Sequence, residues 1–387
     1  SYRESYRFSN YLQLYYKRMI NEYLFSVSLA TNHFKTDYKD RDDTPVDDLR
    51  DNTNYRDHSY MARAQLQKFF NDGDNIIIGS EISLDQSRSN VLRNIYEQPE
   101  QKTSAGFAKY RMQLRDNLIL DMGMRYDYRD VTGGEGYSIK SFQALSPKIS
   151  LIYDMNSSLI TYLSYNKGFR APSISELFLE YESSYGLLLQ GNPTLKPESL
   201  NSIESGFKLQ KEGVSYFGNV FFNQYSDMID FIYTIPVRSV NRETVKGIGA
   251  ELGSNLYIDK TKSNFNFTYS YLNLNESSDA PMLYRPKHKI RFTWVQQFSL
   301  LDFRLSTRYV SKQLYEDFLS DTHPIDGNTV IFPLETLPET IISEFSITKT
   351  FTDYDVSIKV KNLFDNSYVL IQHYPMPGRN FEMSITK

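Results

Sequence analysis

The sequence has no cysteine, a single tryptophan and no long apolar run. Without thiols the chain has no disulfide scaffold, no thiolate metal site and no cysteine nucleophile. No stretch approaches the 18 or so apolar residues that a membrane helix requires. Lysine plus arginine number 43 and aspartate plus glutamate 47, which gives a formal net charge of −4. A dedicated nucleic-acid binder should be basic, so nucleic acid is not an expected partner.

Aromatic residues are abundant, with 31 Tyr and 25 Phe, and the mean hydropathy is −0.50. Such a mean is typical of a soluble protein. A β-barrel, however, crosses a bilayer with every second residue polar, so averaging hides its apolar face. The period of the apolar residues therefore has to decide between the two classes.

Apolar residues recur with a period of two over most of the chain. Phe265, Phe267 and Tyr269, for example, alternate with Asn266 and Thr268. Successive side chains of a strand point to opposite faces, so such a segment has one apolar and one polar face. The pattern predicts about seventeen strands, at residues 4–18, 22–38, 56–70, 73–86, 103–115, 117–130, 138–155, 158–169, 198–211, 213–234, 237–257, 261–274, 285–298, 300–315, 339–351, 353–363 and 378–387.

The connectors between these segments alternate between tight and long ones. Tight connectors carry turn residues, as at 71–74 and 211–213. The long connectors are polar or mixed and lie at 39–55, 87–102, 170–197, 275–284 and 316–338. A soluble sandwich would turn every 8–12 residues, whereas short turns on one rim and long loops on the other are typical of an outer-membrane barrel. We therefore predict an all-β fold, a transmembrane antiparallel β-barrel, as one domain over residues 1–387.

Four motifs go beyond this periodicity. They are Gly168-Phe169-Arg170-Ala171-Pro172, Asn192-Pro193-Thr194-Leu195-Lys196-Pro197-Glu198, Lys361-Asn362-Leu363-Phe364-Asp365-Asn366-Ser367-Tyr368 and Pro377-Gly378-Arg379-Asn380-Phe381. Their order and spacing strongly resemble the C-terminal barrel of TonB-dependent outer-membrane receptors, over residues 100 to 387. Each motif also has a structural interpretation, because proline lacks a donor and marks a loop that leaves the strand ladder.

This resemblance implies active uptake, across the bacterial outer membrane, of a scarce large nutrient such as a ferric siderophore or cobalamin. Extracellular loops bind the ligand, outer-membrane lipid surrounds the barrel, and no cofactor is required. A plug inside the barrel gates passage, and the TonB energy-transducing complex pulls on that plug. Family barrels have about 22 strands, so we expect the 1–387 barrel to be incomplete at its N-terminal side, with the plug absent from this chain. The alternative is a passive porin of 16–18 strands.

Ligand contacts are expected on the long loops, at Arg170, Tyr181, Tyr185, Asn192 and His323. Haem receptors of this family carry a His ligand between the Phe-Arg-Ala-Pro and Asn-Pro-Xaa-Leu motifs, but residues 173–191 contain no His. Tyrosine can ligate ferric haem, so a haem receptor stays an alternative. His323 can equally be a solvated loop residue.

The most charged stretch runs from Asp37 to Asp51 and holds seven carboxylates within fifteen residues. Calcium takes six to eight oxygen ligands and tolerates irregular geometry, and cobalamin receptors of the family order their loops with aspartate-bound calcium. The alternative is a solvated acidic loop crossed by lysine and arginine. If calcium binds, the predicted ligands are Asp40, Asp42, Asp43, Asp47 and Asp48.

Catalysis finds no support in the sequence. A Ser-His-Asp order, a Gly-rich phosphate loop and a His-Glu-x-x-His string are all missing. We therefore predict that the protein is not an enzyme. The charged residues on the polar faces of the strands are interpreted as a wet lumen wall that contacts the plug, and they include Lys109, Arg111, Arg125, Arg304, Arg308 and Lys359.

Overall fold

The structure is a computed structural model that describes residues 2–41, 52–70, 73–92, 98–133, 139–182, 188–232, 236–278, 281–317, 325–326, 329–330, 332–372 and 374–386. Within these ranges the chain is almost entirely β-strand, with one five-residue helix. No helix of the described part is long and apolar enough to cross a membrane.

The strands are listed here in chain order. The first eight are β1 (Tyr2–Ile20), β2 (Tyr23–Arg41), β3 (Asn52–Phe69), β4 (Asn75–Ser89), β5 (Glu100–Arg115), β6 (Leu118–Thr132), β7 (Lys140–Asn156) and β8 (Leu159–Arg170). Helix α1 (Ile174–Phe178) follows, and then β9 (Glu180–Glu182), β10 (Leu188–Gln190), β11 (Glu198–Lys211), β12 (Val214–Ile232), β13 (Val237–Ile258), β14 (Ser263–Glu276), β15 (His288–Gln297) and β16 (Asp302–Val310). The remaining strands are β17 (Gln313–Glu316), β18 (Ile325–Asp326), β19 (Thr329–Val330), β20 (Leu334–Leu337), β21 (Thr340–Thr350), β22 (Asp355–Lys361), β23 (Val369–Ile371), β24 (Tyr374–Pro375) and β25 (Asn380–Thr386).

Seventeen of these strands form one antiparallel meander in which each pairs with the next. The spatial order is β1 to β8, then β11 to β16, then β21, β22 and β25. Within the described residues, β1 pairs only with β2, and β25 only with β22. The tight turns lie on one rim of this wall, and the long connections lie on the other.

The predicted segments correspond one to one with these seventeen strands, so the predicted all-β barrel class is confirmed. One boundary is wrong, because the predicted strand 300–315 is two elements. β16 ends at Val310, and β17 then pairs with β20 instead of with the wall. The period of two continues through both pieces, so the sequence does not reveal that the pairing partner changes.

The two faces of the wall differ sharply. The outer face carries an apolar belt in which Ile82, Val220 and Ile248 are 60%, 60% and 58% exposed, as lipid-facing residues should be. The inner face is polar. Its β3–β6 side contains ion pairs, in which Arg125 contacts Glu81 and Asp127, each at 2.9 Å.

The turn rim is held by local polar contacts. Gly213 has φ +68° in the turn between β11 and β12, a conformation that favours glycine. Asp74, in the turn before β4, accepts hydrogen bonds from Tyr110 Oη at 2.6 Å and from the Gln113 amide at 2.7 Å. These two bonds to the carboxylate lower the pKa of Asp74.

Candidate functional site

On the long-loop rim, residues 171–182 and 188–197 fold into a structured element. Ser173 caps helix α1 with its hydroxyl on the Glu176 amide at 3.2 Å, and Glu176 Oε2 accepts from the Ser173 amide at 2.8 Å. A Ser-x-x-Glu sequence before apolar residues favours this capping box. Pro172, fully buried, directly precedes the cap.

A small apolar core anchors this element. Leu177 and Phe178, 0% and 1% exposed, pack with Val131, Leu195 and Ile229. Val131 shares the inner face of β6 with Arg125 and Asp127, since all three have the same parity. The loop therefore folds inward over the barrel mouth.

Backbone pairing ties the loop to the rim on two sides. On one side, the Glu180 amide donates to the Val91 carbonyl at 2.8 Å. On the other side, β10 pairs in parallel with the start of β13, with Leu189 opposite Val237. The loop thus bridges the β4–β5 and β12–β13 connections, and its position is set by both.

The predicted ligand residue Asn192 has its side chain engaged by the fold. Its Nδ2 donates to the Ser239 carbonyl at 3.0 Å, and its Oδ1 accepts from the Thr194 amide at 2.9 Å. Nearby, Asn241 clamps the Lys196 backbone, accepting from its amide at 2.9 Å and donating to its carbonyl at 3.0 Å. The Asn-Pro-Thr-Leu-Lys-Pro-Glu motif is therefore fastened to β13 at two points.

Arg170 is likewise engaged. Its guanidinium contacts both carboxylate oxygens of Glu176 at 3.0 and 2.9 Å and reaches Glu198 at 3.3 Å. Glu198 in turn accepts from the Ile229 amide at 2.9 Å. Arg170 thus links helix α1 to the start of β11, a structural role that the sequence motif did not reveal. Its ligand role stays a prediction.

The other predicted site residues are located only in part. Tyr181 lies on β9 opposite Leu189. Asp40 lies on β2 opposite Arg3, where the backbone alone is described. Outside the described residues lie Tyr185, His323, Asp42, Asp43, Asp47 and Asp48. Among the residues that are described, no group of three or more acidic, His or Cys side chains is arranged to hold a metal ion.

One charged cluster at this rim was missed by the sequence reasoning. Arg242 is 9% exposed and lies between Asp230 at 2.7 Å and Glu276 at 2.5 Å. The positive charge of Arg242 also favours the ionised form of Glu316, which lies on the β17 hairpin. Burial nevertheless raises the pKa of Glu316 above its ordinary value. Three of these charges lie on the consecutive strands β12, β13 and β14, and the register of these strands together with the β17 hairpin brings the four together.

A basic ladder descends the inner face of β15 and β16. It consists of Lys289, Arg291, Arg304 and Arg308, with Arg291 directly opposite Arg308. Within the described chain none of the four forms an ion pair, although Glu251 shares a cavity of ≈ 300 Å³ with three of them. On the β3–β6 side, by contrast, Arg63, Arg111 and Arg125 each contact a carboxylate.

The ladder begins at a rim pocket. A groove of ≈ 740 Å³ lies between the β14–β15 connection and the β17–β20 hairpin. Arg285, Lys287 and Lys312 line it together with Glu276 and Glu339. Glu276 is already paired with Arg242. The remaining charged side chains of the pocket are three cations and Glu339. The pocket and the ladder together could therefore bind an anion.

A long-stranded antiparallel wall with an apolar outer belt, a polar inner face and long loops on one rim defines an outer-membrane β-barrel. The family model for TonB-dependent receptor-like β-barrels matches residues 1–363. The chain belongs to this family, whose members lie in the outer membrane. The prediction made from the four motifs is thereby confirmed.

Solved structures share the fold at low sequence identity. A copper transporter, OprC, is 14% identical with a TM-score of 0.78, covering 98% of this chain and 64% of its own. The siderophore receptor PirA from Acinetobacter baumannii is 15% identical with a TM-score of 0.75, covering 98% and 62%. The ferric-catecholate import receptor Fiu from K12 E. coli is 14% identical with a TM-score of 0.74, covering 99% and 64%. The chain thus spans less than two thirds of the length of each of these structures.

Proposed function

We propose that this barrel belongs to a TonB-coupled receptor that takes up an anionic ferric chelate of the siderophore class. The observation that supports this proposal is the basic ladder, which continues from the rim pocket into the lumen and whose four cations form no ion pair within the described residues. A catecholate complex of ferric iron is strongly anionic, because each catecholate brings two negative charges. Guanidinium and ammonium groups are the natural partners of such oxygen-rich anions.

The ladder also favours one cargo over the others considered. Cobalamin presents a single phosphate, so it would leave most of the ladder without a partner. Two solved structures with this fold are named as receptors for ferric-catecholate and ferric enterobactin, and copper transport is the named role of another. Membership of the TonB-dependent family argues against the passive porin, and it supports the TonB complex as the energy-transducing partner.

Uptake of compounds that carry a radiolabelled metal, iron or, for cobalamin, cobalt, by cells that depend on this receptor tests the proposal. The chelate panel contains a ferric tris-catecholate, an uncharged ferric hydroxamate, haem and cobalamin, each with and without a functional TonB. We expect TonB-dependent uptake of the catecholate and little uptake of the uncharged chelate. Equal uptake of both ferric chelates, or uptake that persists without TonB, would contradict the proposal.

Variants of the ladder separate cargo binding from contact with a plug. Arg291→Gln with Arg308→Gln should lower binding of the anionic chelate toward the weak binding of the uncharged one, and that weak binding should not change. If the ladder only contacts a plug, the same double variant should weaken the binding of both chelates by the same factor. Arg111→Gln is a matched control on the same inner face, because Arg111 is already neutralised by Asp121 at 2.6 Å.

Calcium binding by Asp40, Asp42, Asp43, Asp47 and Asp48 is kept as a second, independent proposal. Seven carboxylates within residues 37–51 supply enough oxygen ligands for the ion. Calorimetric titration of the whole protein with calcium, beside an Asp42→Asn, Asp47→Asn variant, tests it. Heat that is present in the parent and lost in the variant supports the site, whereas no heat in the parent removes it.

A further inference from the structure

A row of three cations crosses the outer face of the wall near the long-loop rim. Lys35 on β2 lies directly opposite Arg56 on β3, and Arg56 lies directly opposite Arg88 on β4. Like charges directly opposite each other on a sheet are destabilising. Such a row is therefore expected to have an anionic partner.

The described chain supplies only one such anion. Asp37 contacts Lys35 at 3.0 Å and Arg56 at 2.8 Å, so two cations share a single carboxylate. Arg88 is exposed and has neither an ion pair nor a hydrogen bond within the described residues. Lys102, further along the same face, is balanced by Glu100 at 2.6 Å. Within the described residues, the basic row (Lys35, Arg56 and Arg88) therefore has three cations and one paired carboxylate.

An apolar groove lies on the same outer face, toward the middle of the strands. Its volume is ≈ 620 Å³, and it crosses β1 to β5. The short side chains of Ala62 and Ser104 line it between the larger Leu29, Ile82 and Leu84. Ile82 is 60% exposed and Leu29 is 48% exposed, so the groove belongs to the lipid-facing belt.

The row and the groove are in line along the strands. From Tyr60, at the groove, to Arg56, in the row, is four residues of β3, or about 13 Å along the strand. Between them His33 stacks on His58 with ring centroids 4.2 Å apart, and Phe8 packs edge-on against His33. Aromatic rings at this level are typical of the boundary between hydrocarbon and headgroups.

We infer that this surface binds a phosphorylated glycolipid of the outer leaflet, of the lipid A type. Its phosphates meet the basic row, and one or more acyl chains lie in the groove. Arg56 uses only Nη1 in its contacts with Asp37, Tyr55 and Thr36, so its other nitrogens can donate to phosphate. A soluble anion could pair with the row but has no apolar part to fill the groove. A lipid has both parts and is therefore the proposed occupant.

Native mass spectrometry of the whole protein in detergent tests this inference. The probes are bisphosphorylated lipid A, its dephosphorylated form, phosphatidylglycerol and inorganic phosphate. We expect retention of the bisphosphorylated lipid. Arg56→Gln with Arg88→Gln should weaken that retention by about tenfold, because two charge-assisted bonds are lost. Ala62→Phe with Ser104→Phe, which fills the groove and leaves the row intact, should weaken it as well.

The matched control is Arg18→Gln with Lys68→Gln, which removes two cations from the outer face of β1 and β3 at the turn rim. It should bind as the parent does, and heat-modifiable migration verifies that every variant is folded. Equal retention by the row variant and this control would overturn the inference. So would equal retention of the dephosphorylated lipid, or binding of inorganic phosphate as strong as that of the lipid.

Discussion

Arg291 and Arg308 lie directly opposite each other on β15 and β16, and both face the lumen. Neither forms an ion pair within the described residues, although Glu251 lines the same cavity. On a sheet, such a like-charge pair costs stability. On the β3–β6 side of the lumen Arg63, Arg111 and Arg125 each contact a carboxylate, and this contrast is why we propose that the ladder binds cargo.

The first prediction is that one substitution in the ladder raises the stability of the barrel and lowers transport. Replacing Arg308 by Gln removes the like-charge repulsion, so it should stabilise the barrel slightly, by about 0.2–1 kcal/mol. The same change should reduce uptake of an anionic ferric chelate. Thermal unfolding in detergent and iron uptake measure the two effects. Arg111→Gln should instead lose stability, since it removes the bidentate partner of Asp121, and a gain there would count against the argument.

The second prediction concerns the buried rim cluster. Arg242→Leu leaves Asp230 and Glu276 without their shared cation, and breaking a buried pair in this way costs about 3–5 kcal/mol. We expect early loss of the rim structure, measured by limited proteolysis and by denaturant titration. The control is Lys262→Met, which breaks an exposed turn pair with Asp259 and should cost about 0–1 kcal/mol. Equal effects of both changes would refute this account of the cluster.

The third prediction is a pH dependence of the β17–β20 hairpin. Burial raises the pKa of Glu316 above its ordinary value of 4.5, so the folded state holds this proton more tightly than the unfolded state does. Stability is therefore greatest below the unfolded pKa and falls as the pH rises through the folded one. Hydrogen-exchange protection factors of the hairpin, which are corrected for the intrinsic pH dependence of amide exchange, should fall as the pH rises from 4. Glu316→Gln should flatten that profile, and an unchanged profile would exclude this carboxyl as its source.

The fourth prediction uses two glycines of opposite surroundings. A Cβ at Gly191 would lie 2.6 Å from the backbone nitrogens of Phe178 and Leu179, whereas one at Gly106 meets nothing within 4 Å. Gly191→Ala should push helix α1 away from the mouth at a cost of about 1–3 kcal/mol. Gly106→Ala should be close to neutral. Proteolysis of the 171–197 loop and chelate affinity report the displacement, and equal behaviour of the two variants would argue against the packed loop.

Much of the fold could be predicted from the sequence, because polar and apolar residues must alternate along a strand that has one polar and one apolar face. The seventeen long strands and the two unlike rims follow from that period and from turn chemistry. The strand predicted at 300–315 failed for the same reason, since Gln313–Glu316 keeps the alternation but pairs with a different partner. The alternation of side chains is a property of a single strand, so it does not predict which strand pairs with it.

The site was less predictable. The motif residues Arg170 and Asn192 were expected to contact ligand, and the structure shows their side chains bonded to Glu176, Glu198 and Ser239. The ladder was visible only as scattered charges. Whether the ladder cations are neutralised depends on their distance from the nearest carboxylates, and the spacing of residues in the sequence does not give that distance.

The sequence by itself determined the strands, their amphipathic faces and the family, because these depend on local period and ordered motifs. Only the tertiary structure decided which charges are neutralised and which are left free. Arg125 and Arg308 are alike in sequence context, yet one lies beside Glu81 and Asp127 and the other faces Arg291. That difference arises from the register between neighbouring strands of the wall, since electrostatic energy depends on distance in space.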